Sequence, residues 1–369
     1  MRILVLNCGS TTLKYKLFEG GEAGLAVLAA GVVRGAPPYD AALRRVLADL
    51  PAAPDAVAHR VVHGGDRFTT AVRVDDEILR ALCQLTPLAP LHNGPALRAV
   101  EITRSLGVPV IAAFDTAFFA DLPARARRYA LPVIPGIRRY GFHGWSHRSV
   151  AERVAAISGA PAPTLVSLHL GSGCSAAAIS RGKPVDISMG YSPLEGLVMG
   201  TRPGDMDPGV LLHLLQEGRT AEELERLLHH ESGLKALAGS ADMQQLLARK
   251  DDAARQAVEL FCYRAIKYIG AYLTVLGGEA EALVFTGGIG ENSPEIRDRI
   301  CAGLRWLGLK LDQGRNQRGE ERISADGSRL VAYAIRTDEE VGIAREALGL
   351  LTAKGPAQPL PTPAPPPGG

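Results

Sequence analysis

Residues 4–20 read LVLNCGSTTLKYKLFEG, and this stretch decides the class of fold. It begins with an apolar run, passes through a group of small polar residues and continues with alternating apolar and polar residues. That order predicts a buried strand, a tight turn and a second strand. A hairpin turn needs one or two glycines, but it does not need an asparagine, three hydroxyls and a nearby lysine. Two interpretations are therefore open: a plain hairpin, or a cradle for an anion.

The opening pattern recurs in the second half of the chain. Residues 164–187, TLVSLHLGSGCSAAAISRGKPVDI, again run from an apolar strand through a Gly/Ser turn into a second strand. Residues 282–300, ALVFTGGIGENSPEIRDRI, give a strand, a glycine turn and a helix that Asn292 or Ser293 could cap. Neither the common P-loop nor the dinucleotide fingerprint is matched. A duplicated domain with its site in the cleft between the halves is the favoured prediction, and a purely structural repeat is the alternative.

Length and composition predict a globular protein of two domains. The chain has 369 residues, 46% of them hydrophobic and 22% charged. A net charge of +2 argues against a nucleic-acid or membrane surface, and no run approaches the ~18 apolar residues of a membrane span. The N-terminus shows no signal-peptide pattern. Five scattered cysteines without a C-x-x-C pair predict reduced thiols and a cytoplasmic location.

Strand-like runs alternate with helical periodicity, which predicts an α/β fold. We expect buried strands at 3–6, 56–62, 108–112, 165–170 and 282–285, and helices at 76–85, 95–106, 253–276 and 339–350. The predicted domains are 1–118, on which a C-terminal helix at about 341–352 packs back, and 119–340. The Pro-rich end, 353–369, is predicted to be disordered.

Several polar residues outside the turns are candidates for chemistry. Arg202 lies in a long stretch without periodicity, 189–209, where a guanidinium would suit an anion. Asp115 directly follows an apolar run and is either a ligand group or the cap of the next turn. The segments around residues 59–68, 87–97 and 138–149 place His and Arg beside Gly and Pro and are expected to be loops.

The histidines have competing interpretations. For His59, a packed core imidazole is as probable as a functional role. His143 lies in a tight Gly-Phe-His-Gly run that favours function, whereas a zinc site on His143 and His147 is disfavoured because a Glu is missing between them. Two glycine cradles, the isolated Arg60 and Arg202, a loop histidine and acids together suit phosphoryl transfer with Mg²⁺.

The chain resembles acetate kinase and its relatives, the propionate and butyrate kinases. The matching segments occur in the family's order from residue 2 to about 350, and they read NCGSTTLKY, HRVVHGG, PLAPLHN, FDTAF, RRYGFHGWSH, HLGSG, SMGYSPLEGLVMGTRPGDMDPG, FTGGIGENS and TDEE. The resemblance implies a duplicated actin/hexokinase/Hsp70-like (ribonuclease H-like) fold with two domains around a cleft. It implies a homodimer and a reversible Mg²⁺- or Mn²⁺-dependent reaction in which ATP and acetate give ADP and acetyl phosphate by direct in-line transfer.

The resemblance also implies roles for residues at matching positions. The catalytic group is Arg60, Asp115, His143 and Arg202. The substrate group comprises Arg60, Val62, Leu91, His92, Phe142 and Pro193. The metal group is Asn7 and Glu339. The nucleotide and phosphate group comprises Ser10, Thr12, Lys14, His169, Gly171, Ser172, Gly173, Asp242, Gly287, Gly288, Ile289, Gly290 and Glu291.

Three departures from the family pattern leave the donor and the acyl chain open. Ser172 stands where an Asn is usual, Phe119 where a His is usual, and Gln244 where an Arg is common. The alternatives are a propionate or butyrate kinase, a pyrophosphate-using relative, a non-catalytic actin-like nucleotide-binding protein, and a metal-dependent hydrolase.

Overall fold

The computed structural model describes residues 1–9, 12–21, 24–35 and 39–353, apart from the side chains of residues 39 and 90–92. Residues 354–369, which hold nearly all of the predicted disordered tail, lie outside the described residues. The described chain contains eleven strands: β1 (Arg2–Cys8), β2 (Thr12–Gly21), β3 (Gly24–Arg34), β4 (Ala56–Val61), β5 (Val72–Arg73), β6 (Val110–Phe114), β7 (Leu165–Leu170), β8 (Cys174–Ser180), β9 (Lys183–Ile187), β10 (Ala282–Thr286) and β11 (Val331–Ala334).

Fourteen α-helices connect or follow these strands in the described chain. They are α1 (Tyr39–Asp49), α2 (Asp76–Gln84), α3 (Pro90–Arg104), α4 (Ala124–Arg127), α5 (Gly144–Ser158), α6 (Pro208–Gln216), α7 (Ala221–His230), α8 (Gly233–Ala238), α9 (Met243–Ala248), α10 (Asp252–Val275), α11 (Gly287–Asn292), α12 (Pro294–Ala302), α13 (Gln313–Arg318) and α14 (Glu339–Thr352). Short 3₁₀ helices cover Thr86–Leu88, Asp115–Phe119 and Arg305–Leu307.

The chain divides into two compact units. Unit 1 consists of residues 1–120, 133–136 and the part from 338 onwards, and unit 2 consists of residues 121–132 and 137–337. Helix α14, at the C-terminal end of the described chain, packs against β1 and its neighbours in unit 1. The domain boundaries expected from the sequence, as limits of independently folding parts, stay predictions.

The two units repeat one sheet topology. In unit 1 the strand order is β3-β2-β1-β4-β6-β5, and in unit 2 it is β11-β10-β7-β8-β9. In each unit the first strand pairs antiparallel with the second and parallel with the fourth, and the second pairs antiparallel with the third. The predicted duplicated α/β fold is therefore confirmed.

The central strands explain why the opening stretch determines the fold. Strand β1 is buried from Ile3 to Cys8 because β2 and β4 flank it in the sheet, while helices α3 and α14 pack against it. A strand that lies between two other strands and is covered by helices in this way requires a continuous apolar run. Strand β2 is only partly buried and keeps the alternation seen in the sequence.

The structure corrects several local expectations. Helix α3 begins at Pro90 rather than near Pro95, because Pro90 takes the first helical position and Pro95 lies inside the helix. His92 is therefore on a helix, His59 and Arg60 are on β4, and α5 begins at Gly144. The expected loops around 59–68, 87–97 and 138–149 are thus partly wrong. The glycines after β10 form the short helix α11 rather than an open turn. Ser293 caps α12 as predicted.

Two expectations drawn from composition concern the cysteines and the apolar helices. All five cysteines, Cys8, Cys83, Cys174, Cys262 and Cys301, are free thiols, in line with the absence of a disulfide pattern. Across the described ranges, none of the helices combines the length and the apolar character that crossing a bilayer would require.

Candidate active site

A bidentate ion pair lies at the carboxyl ends of two parallel strands in unit 1. Arg60 is on β4, and Asp115 follows directly after β6. Arg60 Nε donates to Asp115 Oδ1 at 2.7 Å, and Arg60 Nη2 donates to Oδ2 at 2.5 Å. Asp115 is 1% exposed, and both of its carboxylate oxygens accept from Arg60. The carboxylate thus has a charged partner, which favours the interpretation of Asp115 as a ligand group, while the capping interpretation stays a prediction.

The metal-associated residues predicted from the sequence adjoin this pair. Arg60 Nη1 donates to Asn7 Oδ1 at 3.1 Å, and Asn7 Nδ2 donates to Glu340 Oε1 at 3.2 Å. Glu339 Oε2 lies 3.6 Å from Arg60 Nε. Asn7 is the penultimate residue of β1, while both glutamates start α14, so residues 333 positions apart in sequence meet here.

The charged side chains around Arg60 in unit 1 carry more negative than positive charge. Lys16 pairs with Asp338 and lies 3.8 Å from Glu340 Oε2, which joins it to the same network. Four carboxylates, those of Asp115, Asp338, Glu339 and Glu340, thus face two cations. Burial alone would lower the pKa of Arg60, but Asp115 and then Glu339 outweigh it and raise that pKa above its ordinary value.

The other predicted residues of unit 1 are placed as follows. Val62 is buried just after β4, Thr12 starts β2, and Lys14 is exposed on β2 opposite Asn7. Ser10 and the side chains of Leu91 and His92 lie outside the described residues. His59 is fully buried, and its Nε2 lies 2.8 Å from Thr103 Oγ1, so the core interpretation holds for it.

His143 occupies a strained position at the start of α5 in unit 2. Its φ is 59°, and with Arg181 it is one of two non-glycine residues of positive φ in the described chain. Such backbone is costly for a residue with a side chain and recurs at functional sites. The ring of His143 stacks on that of His169, on β7, with centroids 4.1 Å apart and planes inclined by 26°.

The side chains of His143 and Arg202 both approach Gly173 on the side where a Cβ would lie. A Cβ on Gly173 would lie 3.2 Å from His143 Nε2 and 3.3 Å from Arg202 Nη2. Arg202 Nη1 donates to the carbonyl of the buried Pro193 at 2.9 Å, and burial lowers the pKa of Arg202. An anionic oxygen above Gly173 would therefore face an imidazole nitrogen and a guanidinium together.

A chain of hydroxyls and imidazoles backs His143. His143 Nδ1 lies 2.9 Å from Ser175 Oγ, and the same oxygen lies 2.8 Å from His147 Nε2. His147 Nδ1 in turn lies 2.9 Å from Ser167 Oγ. Burial holds the pKa of His147 well below its ordinary value, with a further contribution from His169. Since both ring nitrogens of His147 meet serines, the zinc interpretation of His143 and His147 has no geometric support.

A second network ties the segment of His143 to the segment of Arg202. Arg139 Nη2 donates to Glu195 Oε1 at 2.5 Å, and Arg139 Nη1 donates to the carbonyl of Ile187 at 3.0 Å. The backbone N–H of Tyr140 donates to the carbonyl of Gly190 at 3.0 Å. The ion pair is partly buried, and together with the bonds to backbone carbonyls it fixes the two segments against each other. Phe142, beside His143, is buried as well.

The second glycine turn borders a cavity of about 740 Å³ in unit 2. Five of the predicted nucleotide residues line it: Gly171, Ser172, Asp242, Gly288 and Ile289. The rest of the wall includes apolar side chains and Gln244, the residue that departs from the family pattern. Asp242 caps α9 by accepting from Gln244 N at 2.8 Å. Ligand pockets in proteins commonly have volumes of this order and largely apolar walls.

The remaining predicted nucleotide residues shape the turn rather than line the cavity. Glu291 Oε1 accepts from the backbone N–H groups of Gly287 and Thr337 at 3.2 Å each. Gly287 has a φ of +77°, and a Cβ there would lie 2.7 Å from the Leu170 carbonyl. Gly290 offers its carbonyl to the buried Arg297 at 2.9 Å. These contacts hold the first residues of α11 against β7.

Sequence reasoning missed some residues of these clusters. Glu340 was indistinguishable from its neighbour Glu339 without knowing which face of α14 meets Asn7. Ser175 gave a weak signal as one more hydroxyl in the second turn, and only its pairing opposite His169 shows what it meets. Apart from their charge, nothing in the sequence marked Glu195 and Arg139 as residues of the site.

Across the part of the chain that the structure describes, no group of three or more His, Cys, Asp or Glu side chains is arranged to hold a metal ion. Mg²⁺ usually takes one or two carboxylates together with substrate phosphates and waters, so it does not require such a group. The donors around Arg60 are oxygens, and the surplus of carboxylates suits a divalent cation.

Comparisons with known proteins identify the family of this chain. The family model described as the acetokinase family matches residues 41–345. Acetate kinase from Micrococcus luteus is 45% identical, with 94% of this chain and 98% of the relative covered. A propionate kinase from Francisella tularensis has a TM-score of 0.87 at 33% identity, covering 94% of this chain and 98% of its own. Porphyromonas gingivalis acetate kinase has a TM-score of 0.86 at 37% identity, covering 95% and 100%. The chain belongs to the acetokinase family.

Proposed function

We propose that this enzyme is an acetate kinase, which transfers a phosphoryl group reversibly between ATP and the carboxylate of acetate. The curated relatives reported above and the acceptor chemistry of the family support a phosphotransferase with a carboxyl acceptor. The single observation that carries the proposal is the cavity of about 740 Å³ beside the turn of Gly171 and Ser172, in the unit that also holds His143 and Arg202.

The cavity favours ATP over pyrophosphate as the donor. Pyrophosphate is compact and wholly polar, so a large pocket with apolar side chains such as Met243, Leu247 and Ile289 would not contribute to its binding. An adenosine moiety has an apolar base that such walls would bury. Gly171 and Gly288 line the cavity without side chains, which lets phosphate oxygens approach the backbone closely there.

In unit 2, His143 and Arg202 are proposed to stabilise the transferring phosphoryl group. Acetate is already ionised at neutral pH, so the reaction requires no strong general base. What it requires is the close approach of two anions, which donors fixed in advance make less unfavourable. The point above Gly173 satisfies that need because two donors converge on it without any rearrangement.

In unit 1, Arg60 is proposed to bind the carboxylate, with Asp115 holding the guanidinium in place. Asn7 Oδ1 and the Glu339 carboxylate are proposed to hold Mg²⁺ or Mn²⁺, with Asp115 near it. A bound ion would supply positive charge that offsets the charge of the phosphate groups. Asn7 is kept in place by its bond to Glu340, and Asp115 by its two bonds from Arg60.

Propionate is the second candidate acceptor, because a propionate kinase matches the structure about as well as an acetate kinase does. Val62, Leu91, Phe142 and Pro193 are proposed as the apolar residues that select the acyl chain. His92, Thr12, Lys14 and Ser10 are proposed to assist the carboxylate and phosphates. A homodimer and a cytoplasmic location remain proposals that rest on the resemblance.

The test is trapping of acyl phosphate with hydroxylamine, using acetate, propionate and butyrate, each with ATP and with pyrophosphate. We expect hydroxamate from ATP and acetate at the highest kcat/KM. Hydroxamate formed with pyrophosphate but not with ATP would refute ATP as the donor. A higher kcat/KM for propionate than for acetate would refute acetate as the preferred acceptor. No product from any combination, with folded protein, would refute the kinase and favour a non-catalytic nucleotide-binding protein.

A further inference from the structure

The chain of groups behind His143 has a property that the reaction itself does not require. Ser175 Oγ lies within hydrogen-bond distance of two imidazoles, His143 Nδ1 at 2.9 Å and His147 Nε2 at 2.8 Å. A serine hydroxyl carries a single proton. It can therefore donate to one of these rings only, and it must accept from the other.

His147 restricts the choice further. The residue is fully buried, and burial holds its pKa well below the ordinary value, so it is neutral and carries one ring proton. Its Nδ1 lies 2.9 Å from the hydroxyl of the buried Ser167. Two arrangements satisfy these groups. Either each group donates its proton to the next one in the direction from Ser167 to His143, or each donates in the opposite direction.

The two arrangements differ at the nitrogen that faces the substrate. If Ser167 donates to His147 Nδ1, then His147 Nε2–H donates to Ser175, and Ser175 donates to His143 Nδ1. A neutral His143 then carries its proton on Nε2. In the opposite arrangement His143 carries it on Nδ1, and Nε2 of the neutral ring presents only a lone pair.

The surroundings of Nε2 decide between them. His143 Nε2 and Arg202 Nη2 both lie within 3.3 Å of the point above Gly173. An anionic oxygen at that point needs a donor from each. The cationic Arg202 beside Nε2 also opposes a second proton on His143. The neighbouring Cys174 carries no charge, since burial raises the pKa of its thiol to about 12.

We propose that Ser175 and His147 are positioning residues, which hold a neutral His143 with its proton on Nε2. That nitrogen then donates to the phosphoryl group without first being protonated by solvent. The inference rests on the proposed function, because the anion above Gly173 selects between the two tautomers, but the tautomer itself can be measured on the protein alone. Ser167 completes the chain as the donor to His147.

The first test reads the tautomers directly. The full chain, labelled with ¹⁵N at its nine histidines, gives ring nitrogen shifts that distinguish an N–H from a lone pair. The spectra of His143→Gln and His147→Gln assign the two residues by the signals that disappear. We expect the proton on Nε2 in both rings at pH 7.5. A proton on Nδ1 of either ring, or a doubly protonated His143, overturns the proposal even if the enzyme is fully active.

The second test compares pH profiles of kcat/KM for acetate between pH 6 and 9. In Ser175→Ala, His143 loses its fixed tautomer, and we expect a new loss of rate of up to about tenfold per pH unit on the alkaline side. Ser175→Thr keeps the hydroxyl and should restore the wild-type profile. The matched control is Ser188→Ala. It removes a buried hydroxyl that accepts from Ala176 N at 2.9 Å and does not belong to the hydrogen-bonded series from Ser167 to His143.

A profile of Ser175→Ala that is lowered but unchanged in shape would overturn the proposal, because a packing role predicts that outcome. If Ser175→Ala does not fold, the tautomers of the wild-type protein still decide the question. If the wild-type protein shows no kinase activity, the proposed function fails while the tautomer measurement stands on its own.

Discussion

Gly173→Ala should abolish most of the activity while leaving the fold intact. Gly173 has no positive φ, so alanine is compatible with its backbone. The added Cβ would lie 3.2 Å from His143 Nε2 and 3.3 Å from Arg202 Nη2, only slightly closer than an ordinary van der Waals contact. Small shifts of two side-chain ends can absorb that overlap, and we expect little change in the melting temperature.

The activity loss follows from what the methyl group displaces. An oxygen bonded to both nitrogens would occupy the same position as the new methyl group. Removing one donor of this kind costs about 10²–10³-fold in rate, so we expect kcat/KM to fall by on the order of 10³-fold, or about 4 kcal/mol. Hydroxamate trapping with ATP and acetate measures it.

The matched control is Gly270→Ala, on α10 in the same unit, where a Cβ meets nothing within 4 Å. It should keep full activity and gain about 0.5–1 kcal/mol of stability from the better helix former. A Gly173→Ala enzyme with wild-type kcat/KM would refute the convergence of His143 and Arg202 on the substrate. So would an equal loss in both variants.

Three further predictions concern other parts of the molecule. Asp115→Ala leaves Arg60 without its bidentate partner, and it should lower the free energy of unfolding in urea by about 3 kcal/mol; a loss below about 1 kcal/mol would contradict a buried pair. Burial lowers the pKa of His59 to about 3 from its ordinary 6.5, so the unfolded state binds the extra proton between these values. Stability should thus fall as pH decreases from about 6.5, with His59 contributing up to about 1.4 kcal/mol per pH unit, and a His59→Gln protein that keeps the full slope would contradict it. Ala241→Trp fills the cavity and should raise the KM for ATP at least about tenfold without changing that for acetate, whereas an unchanged KM for ATP would place the nucleotide elsewhere.

Much of the fold could be predicted from local patterns. The strands at 165–170 and 282–286 and the helix at 252–275 agree closely with their expected bounds, because each carries a continuous apolar run or a clear helical period. Helix α3 was predicted five residues short, since two prolines competed for the first helical position. The repeated turns indicated that the two sheets share a pattern, but strand order requires pairing that no single segment specifies.

The candidate site was predictable only where a residue type was unusual in its setting. Arg60 and Asp115 stood out as charged residues in or next to apolar runs, and the structure joins them. Ser175 and His147 did not, because a buried serine between two imidazoles is defined by three-dimensional neighbours rather than by spacing. The same holds for Glu340, whose bond to Asn7 spans almost the whole chain.

The central claim is tested most directly by kcat/KM for acetyl phosphate formation from ATP and acetate in the wild-type and Arg202→Ala enzymes. Loss of the guanidinium that faces the point above Gly173 should reduce kcat/KM by about 2–4 kcal/mol of transition-state stabilisation, or roughly 30- to 10³-fold. The folded variant should unfold near the wild-type temperature. A kcat/KM near the wild-type value would contradict the account.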